Sequence, residues 1–178
     1  TVVLKPAETT PLTAMKLAEI IQEADLPPGV VNIITGAGAT GAAIVNHPDV
    51  NKIAFTGSTD VGKIIQKAIA GTNKKVTLEL GGNDAAIVLP DADIATAAPS
   101  LFFSAMANNG QICMAVKRVY VPEAMYDDVV EAIAATAAAV VLGPGETPGT
   151  THGPVNNRMQ FERVGELVDD AVAHGARV

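Results

Sequence analysis

The sequence predicts an α/β fold in which parallel strands form doubly wound sheets. Short β-branched runs alternate with amphipathic stretches over residues 1–80, as in a chain that passes repeatedly from strand to helix. The strand-like runs are almost continuously apolar, which is typical of parallel sheets covered on both faces. A second series of the same kind follows Gly81–Gly82. We therefore expect two partial α/β domains, residues 1–81 and 82–178.

The first half of the chain contains four predicted strands and three predicted helices. Apolar residues recur in the segments between the strands at the spacing of one helix face. Ser58 is a predicted helix N-cap, because its side-chain oxygen can accept from a free backbone N–H of the first turn. The predicted strands are 1–5, 30–35, 51–57 and 74–80, and the predicted helices are 11–24, 36–47 and 58–70.

The second half repeats the alternation, with a long loop rich in Gly, Pro and Thr before the last helix. Pro99 lies inside a predicted helix, where it lacks a backbone donor, so we expect a kink or a restart there. Gly175 closes the last helix. The predicted strands are 85–89 and 117–121, the helices are 91–109, 125–141 and 156–175, and the loop is 142–155.

Composition and charge exclude several classes of function. The net charge of −7 argues against a nucleic-acid partner or an anionic membrane surface, each of which needs a basic face. No apolar run is long enough to cross a bilayer. A single cysteine fits a reducing compartment, and we expect a cytoplasmic protein. The three histidines have no metal-ligand spacing, so no metal site is predicted. The chain does not begin with Met, and we expect it to be a piece of a longer one.

Two glycine-rich turns lie where a strand passes into a helix. The turn GAGATG, 36–41, matches the G-x-G-x-x-G pattern of dinucleotide-binding turns, but the chain holds 16 glycines and a tight turn without a ligand explains it equally. The turn FTGSTDVG, 55–62, offers Gly57 for close backbone approach and Ser58 at a helix N-terminus, where anions are favoured. A capped helix without a ligand is the alternative.

Three polar residues also follow or end predicted strands. Lys5 and Glu8 come just past the first strand, at the sheet edge where ligands of open α/β sheets bind, and they could hold ribose hydroxyls or form a surface ion pair. Glu79 lies in the apolar run LELGG, 78–82, which predicts a buried carboxylate. Burial would raise its pKa and suit it to general-base work, although a structural glutamate satisfied by hydrogen bonds fits the same pattern.

The segment NNGQIC, 108–113, holds the only cysteine, Cys113. A partly exposed thiolate near positive charge or a helix N-terminus is a strong nucleophile. A lone cysteine is also a common small packing residue. No Ser-His-Asp arrangement or G-x-x-x-x-G-K-[ST] phosphate loop offers another catalytic centre.

Taken together, these segments resemble the aldehyde dehydrogenase superfamily. A later segment, GPVNNRMQFERV at 153–164, is similar to a helix of the same superfamily, so the resemblance runs over essentially the whole chain. It implies two partial Rossmann-like domains, with the cofactor bound by residues 1–81 and the nucleophile carried by residues 82–178. The four early segments are VVLKPAE (2–8), FTGST (55–59), LELGG (78–82) and NNGQIC (108–113).

The resemblance implies oxidation of an aldehyde to a carboxylic acid with NAD. Cys113 would attack the aldehyde carbonyl and form a thiohemiacetal, and hydride transfer to the nicotinamide would leave a thioester. Glu79 would activate the water that hydrolyses this thioester. A homo-oligomer, a dimer or a tetramer, is implied for the full-length enzyme. Which aldehyde reacts is not given by the sequence.

The resemblance also implies a set of cofactor-binding residues. Lys5 and Glu8 would hold the adenosine ribose, and the charge of Glu8 disfavours a 2′-phosphate, so NAD is expected rather than NADP. Gly57 and Ser58 would lie under the pyrophosphate, and Gly62 would let the helix pack closely. The remaining residues of this set are Gly38, Gly41, Thr56, Leu80 and Gly81.

Three departures from the family pattern leave alternatives open. The upstream asparagine of the oxyanion hole and the downstream E-x-F segment do not occur in this sequence, so we expect poor catalysis by this chain alone. The 36–41 turn is one residue shorter than the common form, and GGNDAA replaces the usual segment after Gly81. An inactive remnant that binds nucleotide or acts as an interaction module is the main alternative. A CoA-acylating relative usually lacks the general base that Glu79 provides.

Overall fold

The computed structural model describes residues 1–177. The chain divides into two compact units, Thr1–Glu79 and Leu80–Val178. Both units mix helices with parallel strands, which confirms the α/β class. Within the described residues the strands pair two by two into three small parallel sheets. No helix of residues 1–177 has the length and apolar character that crossing a membrane requires.

The first unit alternates strand and helix throughout, as predicted. Strand β1 pairs in parallel with β2 over three residues, and β3 pairs in parallel with β4 over five residues. The elements are β1 (Val2–Leu4), α1 (Leu12–Glu23), β2 (Val31–Ile33), α2 (Gly38–Asn46), β3 (Lys52–Thr56), α3 (Thr59–Ile69) and β4 (Lys75–Glu79).

The core of the first unit lies between α3 and the β3–β4 sheet. Ile65 and Ile69 of α3 are four residues apart, so both point to one face of the helix, and they pack with Ile53 of β3. Gly62 lies on the same face and is buried. Partly buried residues of α2, of the strands and of the segment before β3 surround this cluster: Ile44, Val45, Val50, Phe55 and Leu78.

The second unit packs α4 against α5 beside one parallel strand pair. Strands β5 and β6 pair with a register shift between Asp84 and Ala85. Its buried residues are Val88, Ala98, Ala115 and Val129. The elements are β5 (Asp84–Ile87), α4 (Ile94–Met106), a 3₁₀ turn (Ala107–Gly110), β6 (Val116–Tyr120), a second 3₁₀ turn (Glu123–Met125), α5 (Tyr126–Ala138) and α6 (Arg158–Ala173).

Helix α4 continues through Pro99, so the predicted restart there is wrong. Pro99 is the sixth of 13 helical residues and removes one backbone donor. The hydroxyl of the next residue, Ser100, donates to the carbonyl of Thr96 at 3.2 Å and adds a bond beside the gap. A single missing bond near the start of a helix is therefore tolerated.

Candidate functional site

The first candidate group lies past the carboxyl end of β1. The Lys5 ammonium donates to the carbonyl oxygens of Pro6, at 2.8 Å, and Gly36, at 2.9 Å. It also lies 3.8 Å from the carboxylate of Glu8. The Lys5 side chain is only 17% exposed, whereas that of Glu8 is 53% exposed. Lys5 therefore fastens the glycine turn that precedes α2, and Glu8 offers its carboxylate to solvent.

The glycine turn 36–41 folds back on Lys5. A Cβ built on Gly41 would lie 3.7 Å from Lys5 Cε, an ordinary contact distance. Gly36 has φ near +151° and faces Thr40 so closely that a side chain there would overlap it. Gly38 begins α2, and its surroundings are open. The contact with Thr40 therefore requires glycine at position 36. Gly38 leaves open space at the N-terminus of α2.

The second candidate group lies at the carboxyl ends of β3 and β4. Thr56 is the register partner of Glu79, and the Gly57 N–H donates to the Glu79 carbonyl at 3.0 Å. Ser58 Oγ accepts from the Val61 N–H at 3.3 Å, so Ser58 is the N-cap of α3, as predicted. A side chain on Gly57 would overlap the Phe55 ring. This turn is therefore a capped helix N-terminus at the surface of the first unit.

The side chain of Glu79 is exposed, so the prediction of a buried carboxylate is wrong. Glu79 is the last residue of β4, which has β3 on one side and no described strand on the other. The apolar neighbours that suggested burial, Leu78 and Leu80, are each only half-buried. An exposed carboxylate at a strand end can still take a proton from water that reaches it.

Leu80, Gly81 and Gly82 form an extended link between the last residue of β4 and the start of β5. Leu80 is half-buried, and Gly81 is exposed. A Cβ built on Gly82 would overlap the backbone carbonyl of Cys113 and lie 2.8 Å from the Asp84 carboxylate. Only glycine therefore fits at position 82.

The cysteine turn has an unusual backbone. Asn108 and Asn109 have φ of 51° and 58°, and Gly110 has φ of 74°, so three consecutive residues are left-handed. The left-handed conformation costs about 1–2 kcal/mol for each residue with a side chain, and asparagine tolerates it best. The backbone and the side chain of Gln111 both donate to the Asn108 carbonyl, at 3.1 and 3.0 Å. Such strain is characteristic of functional turns.

Cys113 follows this turn and is exposed to solvent. The Lys117 ammonium donates to the carbonyls of Ile112, at 3.3 Å, and Ala115, at 2.8 Å, on either side of the cysteine. Ala115 is buried and its N–H donates to the Ile112 carbonyl at 3.1 Å. The turn therefore presents an accessible thiol on a backbone that is fixed on both sides, and a positive charge lies nearby.

Sequence reasoning missed the residues that hold this turn in place. The Asn109 side chain donates to the carbonyls of Gly153, at 2.7 Å, and Pro154, at 3.2 Å, across more than 40 residues. Gly82 and Lys117 contact the cysteine turn from other directions. The Asn-Asn-Gly sequence was the available signal, because those residue types favour the left-handed region. The long-range partners have no local signature.

Among residues 1–177, no three His, Cys, Asp or Glu side chains cluster as a metal site. The first unit offers the exposed carboxylate of Glu79 beside the Gly57 turn. The second unit offers the exposed thiol of Cys113.

Comparison with known proteins places the chain in a family. The model of the aldehyde dehydrogenase family matches residues 1–178. The chain is 48% identical to "Aldehyde dehydrogenase, cytosolic 1" of Elephantulus edwardii and 49% identical to "Aldehyde dehydrogenase, mitochondrial" of Leishmania tarentolae. In each case the alignment covers 100% of this chain and 36% of the relative, so the chain spans about a third of their length.

A solved structure gives the same result for the fold. The NAD+ complex of an aldehyde dehydrogenase from Bacillus cereus is 46% identical and superposes with a TM-score of 0.97. The superposition covers 100% of this chain and 36% of that chain. The chain belongs to the aldehyde dehydrogenase family.

Proposed function

We propose that the chain carries the nucleophile, the general base and part of the cofactor site of an enzyme that oxidises an aldehyde to a carboxylic acid with NAD. The observation that carries the proposal is the exposed thiol of Cys113, held on a strained turn in a chain that belongs to this family. A cysteine that only filled space would be buried. Residues 1–81 bind the cofactor and carry the general base Glu79, and residues 82–178 carry the nucleophile Cys113.

Cys113 acts as the nucleophile. Its thiolate attacks the aldehyde carbon, and the C–S bond forms as the carbonyl π electrons move to oxygen. The Cys113 backbone N–H is one donor for that oxyanion. Bound NAD+ supplies the acceptor for the hydride that leaves the same carbon. Cys113 then carries a thioester, which water cleaves to the acid with return of the thiol.

Glu79 acts as the general base of the hydrolytic step. Its exposed carboxylate at the end of β4 accepts the proton of the attacking water. The strand fixes the Glu79 backbone, since its carbonyl accepts from the Gly57 N–H at 3.0 Å. The side chain is free of hydrogen bonds within residues 1–177, which leaves both oxygens available to water.

The residues of the first unit fit a dinucleotide. Gly57 has no side chain above the N-terminus of α3, where the first N–H groups have no helical partner and the dipole favours a phosphate. Thr56, Ser58 and Gly62 complete this turn. At the other strand pair, Glu8 has an exposed carboxylate that can accept from two ribose hydroxyls. Lys5, Gly38 and Gly41 complete the proposed cofactor site beside Glu8. Leu80 and Gly81, which follow Glu79 at the end of β4, also belong to it.

The charge of Glu8 favours NAD over NADP. A 2′-phosphate at the ribose would face the Glu8 carboxylate. Within residues 1–177 that carboxylate pairs with Lys5, whose ammonium is already engaged by two carbonyls. Like charges at such a distance disfavour binding. The solved aldehyde dehydrogenase from Bacillus cereus is an NAD+ complex. We further propose that the full-length enzyme is a cytoplasmic homo-oligomer, a dimer or a tetramer.

The second candidate function is a non-catalytic interaction module. It is favoured by the apolar face of α6, where Phe161 is 67% exposed, Val164 51% and Val168 47%. An exposed apolar stripe of this kind marks a surface that associates with protein. An interaction module does not explain the strained turn at Cys113.

The experiment that tests the proposal measures NADH formation and acid production from propanal with NAD, in the full-length enzyme that contains this chain. Wild-type protein is compared with Cys113→Ala and with Met114→Ala, which changes an exposed neighbour. Product formation that is lost only with Cys113→Ala supports the proposal. Product formation that persists in Cys113→Ala contradicts it, and a protein that binds NAD without any turnover favours the interaction module.

A further inference from the structure

The strongest unassigned feature is the connection between Asn109 and the loop before α6. The Asn109 amide donates to the carbonyls of Gly153, at 2.7 Å, and Pro154, at 3.2 Å. Asn109 is the middle of the three left-handed residues, and it is half-buried. Three residues separate it from Cys113. One side chain therefore couples the cysteine turn to a segment more than 40 residues further along the chain.

The far end of this connection is itself fixed. The His152 N–H donates to the Val141 carbonyl at 3.2 Å, and the Gly143 N–H donates back to the His152 carbonyl at 3.1 Å, which closes the loop at its base. The His152 ring lies edge-on to Phe102 of α4, with centroids 5.8 Å apart. Gly153 follows directly, so its carbonyl is a firm anchor and not the tip of a free loop.

The connection borders a depression of about 1050 Å³ between the loop and α6. Asn109, Gly153 and Pro154 form part of its lining, and the rest is mainly apolar, with Phe102, Met106 and Phe161. The bond to Gly153 is the shorter of the two and is partly buried, whereas the bond to Pro154 is exposed.

We propose that Asn109 is a positioning residue for Cys113. Its amide holds the left-handed turn against Gly153 and Pro154. The turn then fixes the positions of the Cys113 N–H and thiol for attack on a carbonyl group. This role rests on the proposed function of Cys113 as the nucleophile. Asn109 touches no reacting atom itself.

Two substitutions of Asn109 test the role of its side-chain amide while keeping the left-handed backbone. Asn109→Gly keeps a residue that adopts positive φ at no steric cost and removes only the amide. Asn109→Asp keeps the size and the tolerance for that backbone, but it places acceptor oxygens against two carbonyls. Asn156→Gly is the matched control, because Asn156 lies on the same loop, is exposed, and makes no hydrogen bond to residues 107–113.

Two reactions of Cys113 provide the readout. Acylation by 4-nitrophenyl acetate needs the carbonyl oxygen near the Cys113 N–H, whereas alkylation by iodoacetamide needs only an accessible thiolate. We expect Asn109→Gly and Asn109→Asp to acylate about tenfold more slowly or worse, because a displacement of about 1 Å can cost 10²-fold. Alkylation should be unchanged, and Asn156→Gly should match the wild type in both reactions.

The outcomes distinguish this inference from the proposal on which it rests. Wild-type protein without Cys113-dependent acylation refutes the nucleophile and the positioning role together. Wild-type protein that acylates, with Asn109→Gly and Asn109→Asp acylating equally fast, refutes the role of Asn109 alone. If one Asn109 variant does not fold, the other decides. Equal losses of acylation and alkylation also overturn the inference, because they indicate a general collapse of the turn.

Discussion

The backbone of Gly82 lies directly against the carbonyl group of Cys113, so closely that a side chain at position 82 would overlap it. The same added carbon would come within 2.8 Å of the Asp84 carboxylate. Because Cys113 O is a backbone atom, it cannot move away by a side-chain rotation. Glycine at position 82 is thus a condition for the observed cysteine turn.

Gly82→Ala should therefore displace the cysteine turn. We expect a loss of about 1–3 kcal/mol in the free energy of unfolding, the usual cost of overpacking, and slower acylation of Cys113 by 4-nitrophenyl acetate. Urea unfolding and stopped-flow acylation measure the two effects. Gly165→Ala is the control, because position 165 is helical and has open space around it. Equal stability and reactivity of the Gly82→Ala variant and the wild type would show that the turn adapts freely.

Glu79→Gln should separate the two halves of the covalent cycle. The nucleophilic attack of Cys113 does not need the carboxylate, but water must be deprotonated to cleave the thioester. We expect an unchanged burst of 4-nitrophenol and a steady-state rate lower by about 10²–10⁴-fold, the usual contribution of a general base. Glu23→Gln, an exposed glutamate at the end of α1, is the control. A steady-state rate equal to that of the wild type would remove Glu79 from the mechanism.

Glu8→Gln should narrow the preference for NAD over NADP. The substitution removes the negative charge that a 2′-phosphate would meet and keeps a side chain of the same size. Dissociation constants for both dinucleotides, measured by titration calorimetry, give the ratio. We expect the affinity for NADP to rise by a larger factor than the affinity for NAD changes. A wild-type protein that binds NADP as tightly as NAD would contradict the charge argument.

Ser58→Ala should destabilise the first unit through loss of a helix cap. Ser58 Oγ accepts from the Val61 N–H, and such a cap contributes about 0.5–2 kcal/mol. Thermal unfolding measures the loss. Ser58→Gly should cost only a few tenths of a kcal/mol, because water can then reach the free N–H groups. A larger loss with glycine than with alanine would show that the cap is not the reason.

Local sequence signals were sufficient for the element types. Near-continuous apolar runs predicted the parallel strands, and the helix predicted over residues 58–70 corresponds to α3. Ser58 was identified as a cap because capping depends on residues only three apart. The burial of Glu79 was predicted wrongly, because the apolar character of Leu78 and Leu80 does not say whether another strand lies beside β4. Burial is a property of neighbours, and these are distant in sequence.

The candidate site shows the same limit. The sequence identified Cys113, but it predicted a helix through Asn109, whereas α4 ends at Met106 and Asn108 and Asn109 are left-handed. It did not reveal that Asn109 bonds to Gly153, or that Gly82 packs on the cysteine carbonyl. Both contacts join segments that are at least 31 residues apart, so only the folded chain brings them together.

The nucleophilic role of Cys113 is tested most directly by mass spectrometry of the acyl-enzyme. Purified protein is mixed with 4-nitrophenyl acetate, quenched with acid within the burst, digested and analysed for acetylated peptides. We predict one acetyl group for each chain, on the peptide that contains Cys113, and none on that peptide in Cys113→Ala. An unmodified Cys113 peptide during a full burst of 4-nitrophenol, or an equal burst from Cys113→Ala, would contradict the account.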